Sequence, residues 1–339
     1  MGTAKKRKTN IYPYFIPGLI MLLFFLFGCE STAVEGASAS GEEPRQDDLA
    51  LFVSGDKRTD TQTDTRTDAQ TDDDAPHGDL ADEAPRIRIL DTAGVELWSF
   101  TEDTLKSLIP EAIDMDSNVY STMNNWPTAR FYAAEGYVVE GILYNAGVLD
   151  TVRTVTFRAA DGYEISMTME QLFEKRYCYP QLGENDLGAR RVAPMIAYRW
   201  REGTDDIGGI RDDRPLLIFG QRDPFEQTNP AFVVGVSEMI VDAEPCEKWP
   251  PPGAFPLPGP IAAGETVKLQ HPDIGRVKLH YTLDGSDPTA LSPMYNPSTY
   301  QPELSRPIAI TESVTIKVIA VGYGKEDSEI AVLEYGVSF

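Results

Sequence analysis

The sequence predicts a mixed α+β domain followed by a small all-β sandwich, the pair carried on a disordered acidic tether. Three observations lead there. Residues 86–244 alternate strand and helix patterns, residues 261–339 offer only short alternating strands separated by turns, and composition changes abruptly near residue 85. The expected organisation is a leader over 1–28, a tether over 29–85, the α+β domain over 86–244, a Pro-rich linker over 245–260 and the sandwich over 261–339.

The leader begins with the basic run Lys5-Lys6-Arg7-Lys8 and continues through the uncharged "LIMLLFFLF" of residues 19–27. That run is shorter than the roughly 20 residues an ordinary membrane span needs. It ends in Leu26-Phe27-Gly28-Cys29, which resembles a bacterial lipoprotein signal, with Phe27 bulkier than usual. The resemblance implies cleavage before Cys29, lipid on its sulfur and new N-terminus, and a protein held to the membrane by that anchor. The other reading is an uncleaved signal anchor. Both put the body outside the cytoplasm, in the cell envelope or at its surface.

Residues 30–85 are rich in Asp, Glu, Ala, Ser, Thr and Gly and poor in aromatics, so they cannot bury enough apolar surface to offset the entropy of ordering. Within them, residues 58–73 repeat every four positions as "RTDT QTDT RTDA QTDD". Calcium sites need a bend that converges several oxygens, and this repeat has no Gly to make one, so it reads as a solvated spacer. As a flexible coil the tether reaches roughly 40 Å.

In the α+β domain, "RIRIL" and "ELWSF" read as strands, and "TEDTLKSLI" opens with a Thr cap and acidic residues as a helix does. "YVVEGILYNAGV" spaces its apolar residues as a helix and stops at Gly147. "TVRTVTFRAADGYEISM" is a hairpin turning on Asp161-Gly162, and "TMEQLFEK" is a short helix. "PMIAYRW", "RPLLIFG" and "AFVVGVSEMIVD" supply the late strands. The linker "PCEKWPPPGAFPLPGP" is stiffened by its prolines. The sandwich strands are "TVKLQ", "VKLHYTL", "PIAI", "VTIKVIAVG" and "IAVLEYGV".

The chemistry is bounded by charge and by residue counts. A formal net charge of -23 argues against nucleic acid, which needs a basic surface. Of three histidines, none lies between residues 78 and 270, so the first domain holds no Ser-His-Asp or Cys-His site. After Cys29 only Cys178 and Cys246 remain. A disulfide between them and two separate thiols are both open outside the cytoplasm. The loop "FGQRDPFEQTNPAF" concentrates Arg222, Glu226 and Asn229 after an apolar strand, as binding loops do; paired charges and satisfied turn backbone are the alternative.

The stretches "WPTARFYAAEGYVVEGILYNAGV", "TVTFRAADGY" and "PLLIFGQR" resemble the oxidoreductase molybdopterin-binding domain of the sulfite oxidase type, over residues 118–242. That resemblance implies a sulfite oxidase-like fold and a pocket near Ser121, Thr122, Asn124, Trp126, Arg130, Glu135, Arg222, Glu226 and Asn229. The family's metal-binding Cys should precede Trp126, where the chain has "YSTMN", and a hydroxyl does not replace a soft thiolate on a metal. No metal or cofactor is therefore expected, with a molybdopterin-dependent oxidoreductase of altered metal site as an alternative. "YTLDGSDPT" of residues 281–289, with the strands around it, resembles the chitobiase/β-hexosaminidase C-terminal (GH29D-like) domain, an immunoglobulin-like sandwich that accompanies glycoside hydrolases and surface proteins. The expectation is a surface-tethered, non-catalytic binding or structural lipoprotein whose partner is an envelope glycan or protein. Glycan binding by the sandwich would show as exposed coplanar aromatics, with Tyr295, Tyr300 and Tyr323 as candidates.

Overall fold

The structure, a computed structural model, describes residues 84–108 and 113–338. The leader, Cys29 and the acidic tether up to residue 83 lie outside the described residues. Those described fall in one compact unit, built of two lobes.

In the first lobe, β1 (Ile87–Asp91) pairs antiparallel with β2 (Glu96–Phe100) and parallel with β12 (Val236–Asp242). β12 continues to β5 (Thr154–Ala159), which turns back into β6 (Glu164–Thr168). The Asp161-Gly162 turn forms as its sequence requires: Gly162 takes φ +90°, and Asp161 Oδ1 accepts from the Tyr163 amide at 3.0 Å.

The second sheet is antiparallel throughout, in the order β11 (Val233–Val234), β10 (Arg211–Ile218), β9 (Met195–Glu202), β4 (Ala129–Val138), β3 (Met115–Met123). Gly136 sits at a bulge in β4, where an added Cβ would lie 2.1 Å from the Ile196 carbonyl oxygen. Both sheets feed one core, with Ile87, Phe157 and Met239 from the first and Tyr120, Ile196 and Leu216 from the second. Burying each such side chain contributes roughly 1.5–3 kcal/mol.

This lobe is not the α+β domain that its patterns predict. Its described α-helices are α1 (Glu102–Leu108), α2 (Val139–Asn145) and α3 (Met169–Phe173), each two turns or fewer. The expected helical elements exist, but as connectors between strands, and the two sheets dominate. α2 is preceded by a ten-residue strand carrying the aromatics Phe131, Tyr132 and Tyr137, which pairs on both edges and so takes the extended form. So little helix does not make up the helical content of a sulfite oxidase-like fold. A two-residue hairpin, β7 (Tyr177–Cys178) with β8 (Arg190–Arg191), packs against β3.

The second lobe is the expected β-sandwich. One sheet runs β13 (Gly253–Phe255), β15 (Thr266–Gln270), β17 (Ile308–Ala309). The other runs β14 (Gly259–Ala262), β19 (Ala331–Ser338), β18 (Val314–Gly322), β16 (Val277–Thr282). Val267, Leu279, Val318 and Tyr335 meet in its core. The stretch read as a linker carries β13 and the start of β14, and Trp249 is buried in the same core. Its prolines conceal strand character because edge strands tolerate the missing amide.

The lobes dock through α3 and the end of β18. Thr168 and Gln171 form a capping box. The same Gln171 amide donates to the carbonyls of Gly322 and Lys325, both at 2.8 Å, and accepts from the Gly324 amide at 3.0 Å. Gly324 takes φ +85°, and a Cβ there would lie 2.9 Å from Ser166 Cβ.

Candidate functional site

The loop after β10 is pinned to the body by Gln221. Its backbone exchanges two hydrogen bonds with Tyr177, at 2.8 and 2.9 Å. Its side chain accepts from Ser121 Oγ at 2.5 Å and donates to the Glu226 carbonyl at 2.7 Å. Ser121 Oγ also accepts from the Tyr179 amide at 2.7 Å. Thr122 accepts from Thr228 at 2.6 Å, and Asn229 donates to the Tyr132 hydroxyl at 2.9 Å. Five of the expected pocket residues, Ser121, Thr122, Arg222, Glu226 and Asn229, thus gather where β3 meets this loop.

The other four do other work. Asn124 Oδ1 accepts from the Trp126 and Thr128 amides and shapes the β3–β4 turn. Arg130 lies 3.9 Å from Glu202 on an exposed face, and Glu135 pairs with Arg199. Trp126 is about half exposed at the tip.

Beneath the loop lies a charge cluster. Arg176, whose side chain is fully buried, donates to Glu226 at 3.2 Å, to Glu174 at 2.6 Å and to the Gly220 carbonyl at 3.0 Å, with its guanidinium 5.0 Å above the Phe219 ring. Arg222 reaches the same Glu226 at 2.7 Å, and its own amide donates to Glu226 at 2.5 Å. Burial alone would push the Glu226 carboxyl up, but Arg176 and Arg222 hold it down at about 2. Burial pushes Glu174 up, against the pull of both arginines.

Cys178 and Cys246 are free thiols, so the disulfide reading gives way to its alternative. Cys178 is buried in β7 beside Ser121, and burial pushes its thiol up. Cys246 lies past β12 and contacts Thr154 Oγ1 of the neighbouring strand β5 at 3.4 Å.

A molybdenum–pterin group does not fit these residues. The Ser121 and Thr122 hydroxyls are buried and engaged, and Arg222 and Arg130 face carboxylates rather than a phosphate subsite. The nearby Cys178 thiol is shifted away from the thiolate form that a metal needs.

Two clefts open along the seam between the lobes, and Gln227 lines both. The larger, about 400 Å³, is lined by Arg222, Phe225, Glu226, His280, Leu291 and Pro297 among others. Burial pushes the His280 imidazole down, favouring its neutral form. The smaller, about 290 Å³, is bordered by Asn125, Tyr163, Gln227, Arg276, Lys278 and Tyr323. At the mouth, Trp126 of the first lobe and Tyr300 of the second stack nearly parallel, with centroids 5.6 Å apart and planes 8° apart. They remain 53% and 65% exposed, so each ring keeps an open face. Of the other aromatic candidates, Tyr295 is buried, and Tyr323 packs edge-on against Phe219.

Sequence reasoning missed Arg176, Lys278, Tyr163 and His280. Arg176 and Lys278 sit in polar or alternating stretches where a cation reads as solvated, and only the docking of the lobes places Lys278 in a cleft.

The second lobe is a β-sandwich of a binding or structural rather than catalytic kind. Residues 267–335 match the family described as Fn3 associated. No curated protein matches the chain.

Proposed function

We propose that the protein is a non-catalytic binding module of the cell envelope, anchored by lipid on Cys29, that holds an envelope glycan along the seam between its lobes. The observation that carries this reading is the Trp126–Tyr300 pair, two exposed rings stacked nearly parallel across the seam, next in the chain to residues that line the two clefts. Exposed apolar groups rimmed by polar residues mark interaction surfaces, and aromatic rings give rigid area at low entropic cost. Phe225 and Leu291 extend the apolar surface along the larger cleft. The Fn3-associated match and the GH29D-like resemblance of the second lobe support a module that accompanies glycan chemistry without performing it.

Glycan-array profiling of the full chain in detergent, followed by Trp fluorescence titration, tests the reading. Binding that Trp126→Ala removes is expected. Silence across the array, or binding indifferent to Trp126→Ala, overturns it. The anchor is tested separately: Cys29→Ser should release the protein from membranes, and unchanged membrane association refutes the lipid.

A further inference from the structure

The smaller cleft holds a cation with no counter-charge. The Lys278 ammonium is partly buried in β16, and the oxygens around it are neutral: Asn125 Oδ1 at 3.3 Å, the Asn296 carbonyl at 3.2 Å and the Pro297 carbonyl at 3.5 Å. All three are longer than the roughly 2.7–2.9 Å of a charge-assisted bond to a carboxylate. No carboxylate among the described residues pairs with it. In a chain with net charge -23, an unpaired and half-desolvated ammonium beside a cavity is out of keeping with its surroundings.

The rest of the cleft has the same bias. Arg276 lines it from the turn before β16, with its guanidinium 5.3 Å above the Trp249 ring. Glu164, the lining carboxylate, is taken by Arg158 at 2.7 Å. The Tyr163 hydroxyl is given to the Pro230 carbonyl. What remains for a ligand is one ammonium, one guanidinium and the buried, unpartnered Oε1 of Gln227, which can accept from a saccharide hydroxyl; Asn125 and Thr299 border the cleft, and their chain neighbours are Trp126 and Tyr300.

We infer that this cleft is an anion pocket in which Lys278 receives a carboxylate carried by the saccharide that rests on Trp126 and Tyr300. The inference builds on the glycan reading above and narrows it to acidic sugars such as uronic acids. A singly charged carboxylate suits the donor set, whereas a phosphate dianion would call for more donors than the cleft offers. Desolvation pulls the ammonium down to about 8, so carboxylate preference holds at neutral pH and fades at more alkaline pH. The titratable and charged groups facing Lys278 across the packed elements are Arg276, Glu164, Tyr163, Tyr323 and His280.

The test titrates the full chain in detergent with a glucuronate-containing oligosaccharide, its carboxyl-reduced neutral counterpart, acetate and inorganic phosphate. The acidic oligosaccharide should bind roughly tenfold or more tightly than the reduced one, the scale of one charge-assisted bond. Lys278→Met should erase that difference and Lys278→Arg should retain part of it, with the melting temperature of each variant showing that it folds. Equal binding of the two oligosaccharides overturns the inference and leaves the glycan reading standing. Binding of acetate lost in Lys278→Met, without binding of any saccharide, supports the pocket and sinks the glycan reading. Phosphate displacing acetate with higher affinity overturns the choice of a carboxylate.

Discussion

Two regions hold cations partly or fully removed from water, and they are built on opposite terms. Around Glu226, two guanidiniums converge on one carboxylate, Glu174 adds a second, and the remaining donors find backbone carbonyls. Around Lys278, one ammonium meets neutral oxygens at long range beside an open cleft. A closed network fixes structure: every charge in it is already answered within the protein. An unanswered charge costs stability and leaves affinity to be realised by something that arrives. The first region therefore reads as a staple for the loop after β10, and the second as recognition.

Removing the centre of the closed network should produce the largest effect. Glu226→Gln leaves Arg176 buried with Glu174 alone and removes the carboxylate on Arg222, the situation in which breaking a buried pair costs about 3–5 kcal/mol. For a folded body of this size the melting temperature should fall on the order of 10 °C. A loss of a degree or two by calorimetry would mean that the cluster is a bystander.

The same carboxylate should give the next largest effect, read through pH. Its folded-state value lies at about 2, below its ordinary 4.5. A depressed carboxyl contributes stability that is full above the unfolded value and lost as pH falls through the folded one. The stability gap between parent and Glu226→Gln should therefore be complete at pH 7 and close between about 4.5 and 2, by about 3 kcal/mol. Glu174, Asp223 and Asp327 are pushed up by burial and act in the opposite sense, so the parent alone would blur the effect, and the difference between the two proteins isolates it. A gap that stays constant down to pH 2 would remove Glu226 from the role assigned here.

Local features were legible and distant ones were not. The turn at Asp161-Gly162, the cap at Thr101 and the alternating strands of the second lobe are written in neighbouring residues, and they form as read. The aromatic stretch over residues 118–137 is the β3–β4 hairpin, whose tip supplies Trp126 to the seam. The class of the first lobe was misread because short amphipathic helices announce themselves strongly, while the pairings that dominate it join segments far apart. The parallel match of β1 with β12 sets Ile89 beside Met239, and no local pattern carries that register. The polar loop was found because Arg222, Glu226 and Asn229 lie close together in sequence. Its partner Arg176 stands fifty residues away from Glu226 in a stretch with no apolar period, where a cation reads as solvated.

Lys278 should give the smallest effect, and with the opposite sign. Its folded value near 8 lies below the ordinary 10.5, so the fold disfavours the charged form. The cost is full below about 8, shrinks as pH rises through 8 to 10.5, and vanishes above. Because the side chain is only partly buried, solvent screening reduces the cost to on the order of 1 kcal/mol. Lys278→Met should thus leave the melting temperature at pH 7 unchanged or raise it by a few degrees. The parent should catch up with the variant as pH climbs toward 10, a comparison in which the tyrosines of the two proteins cancel. Destabilisation comparable to that of Glu226→Gln would show that the ammonium holds the lobes together through Asn125 and Pro297, and the distinction between a staple and a recognition site would collapse.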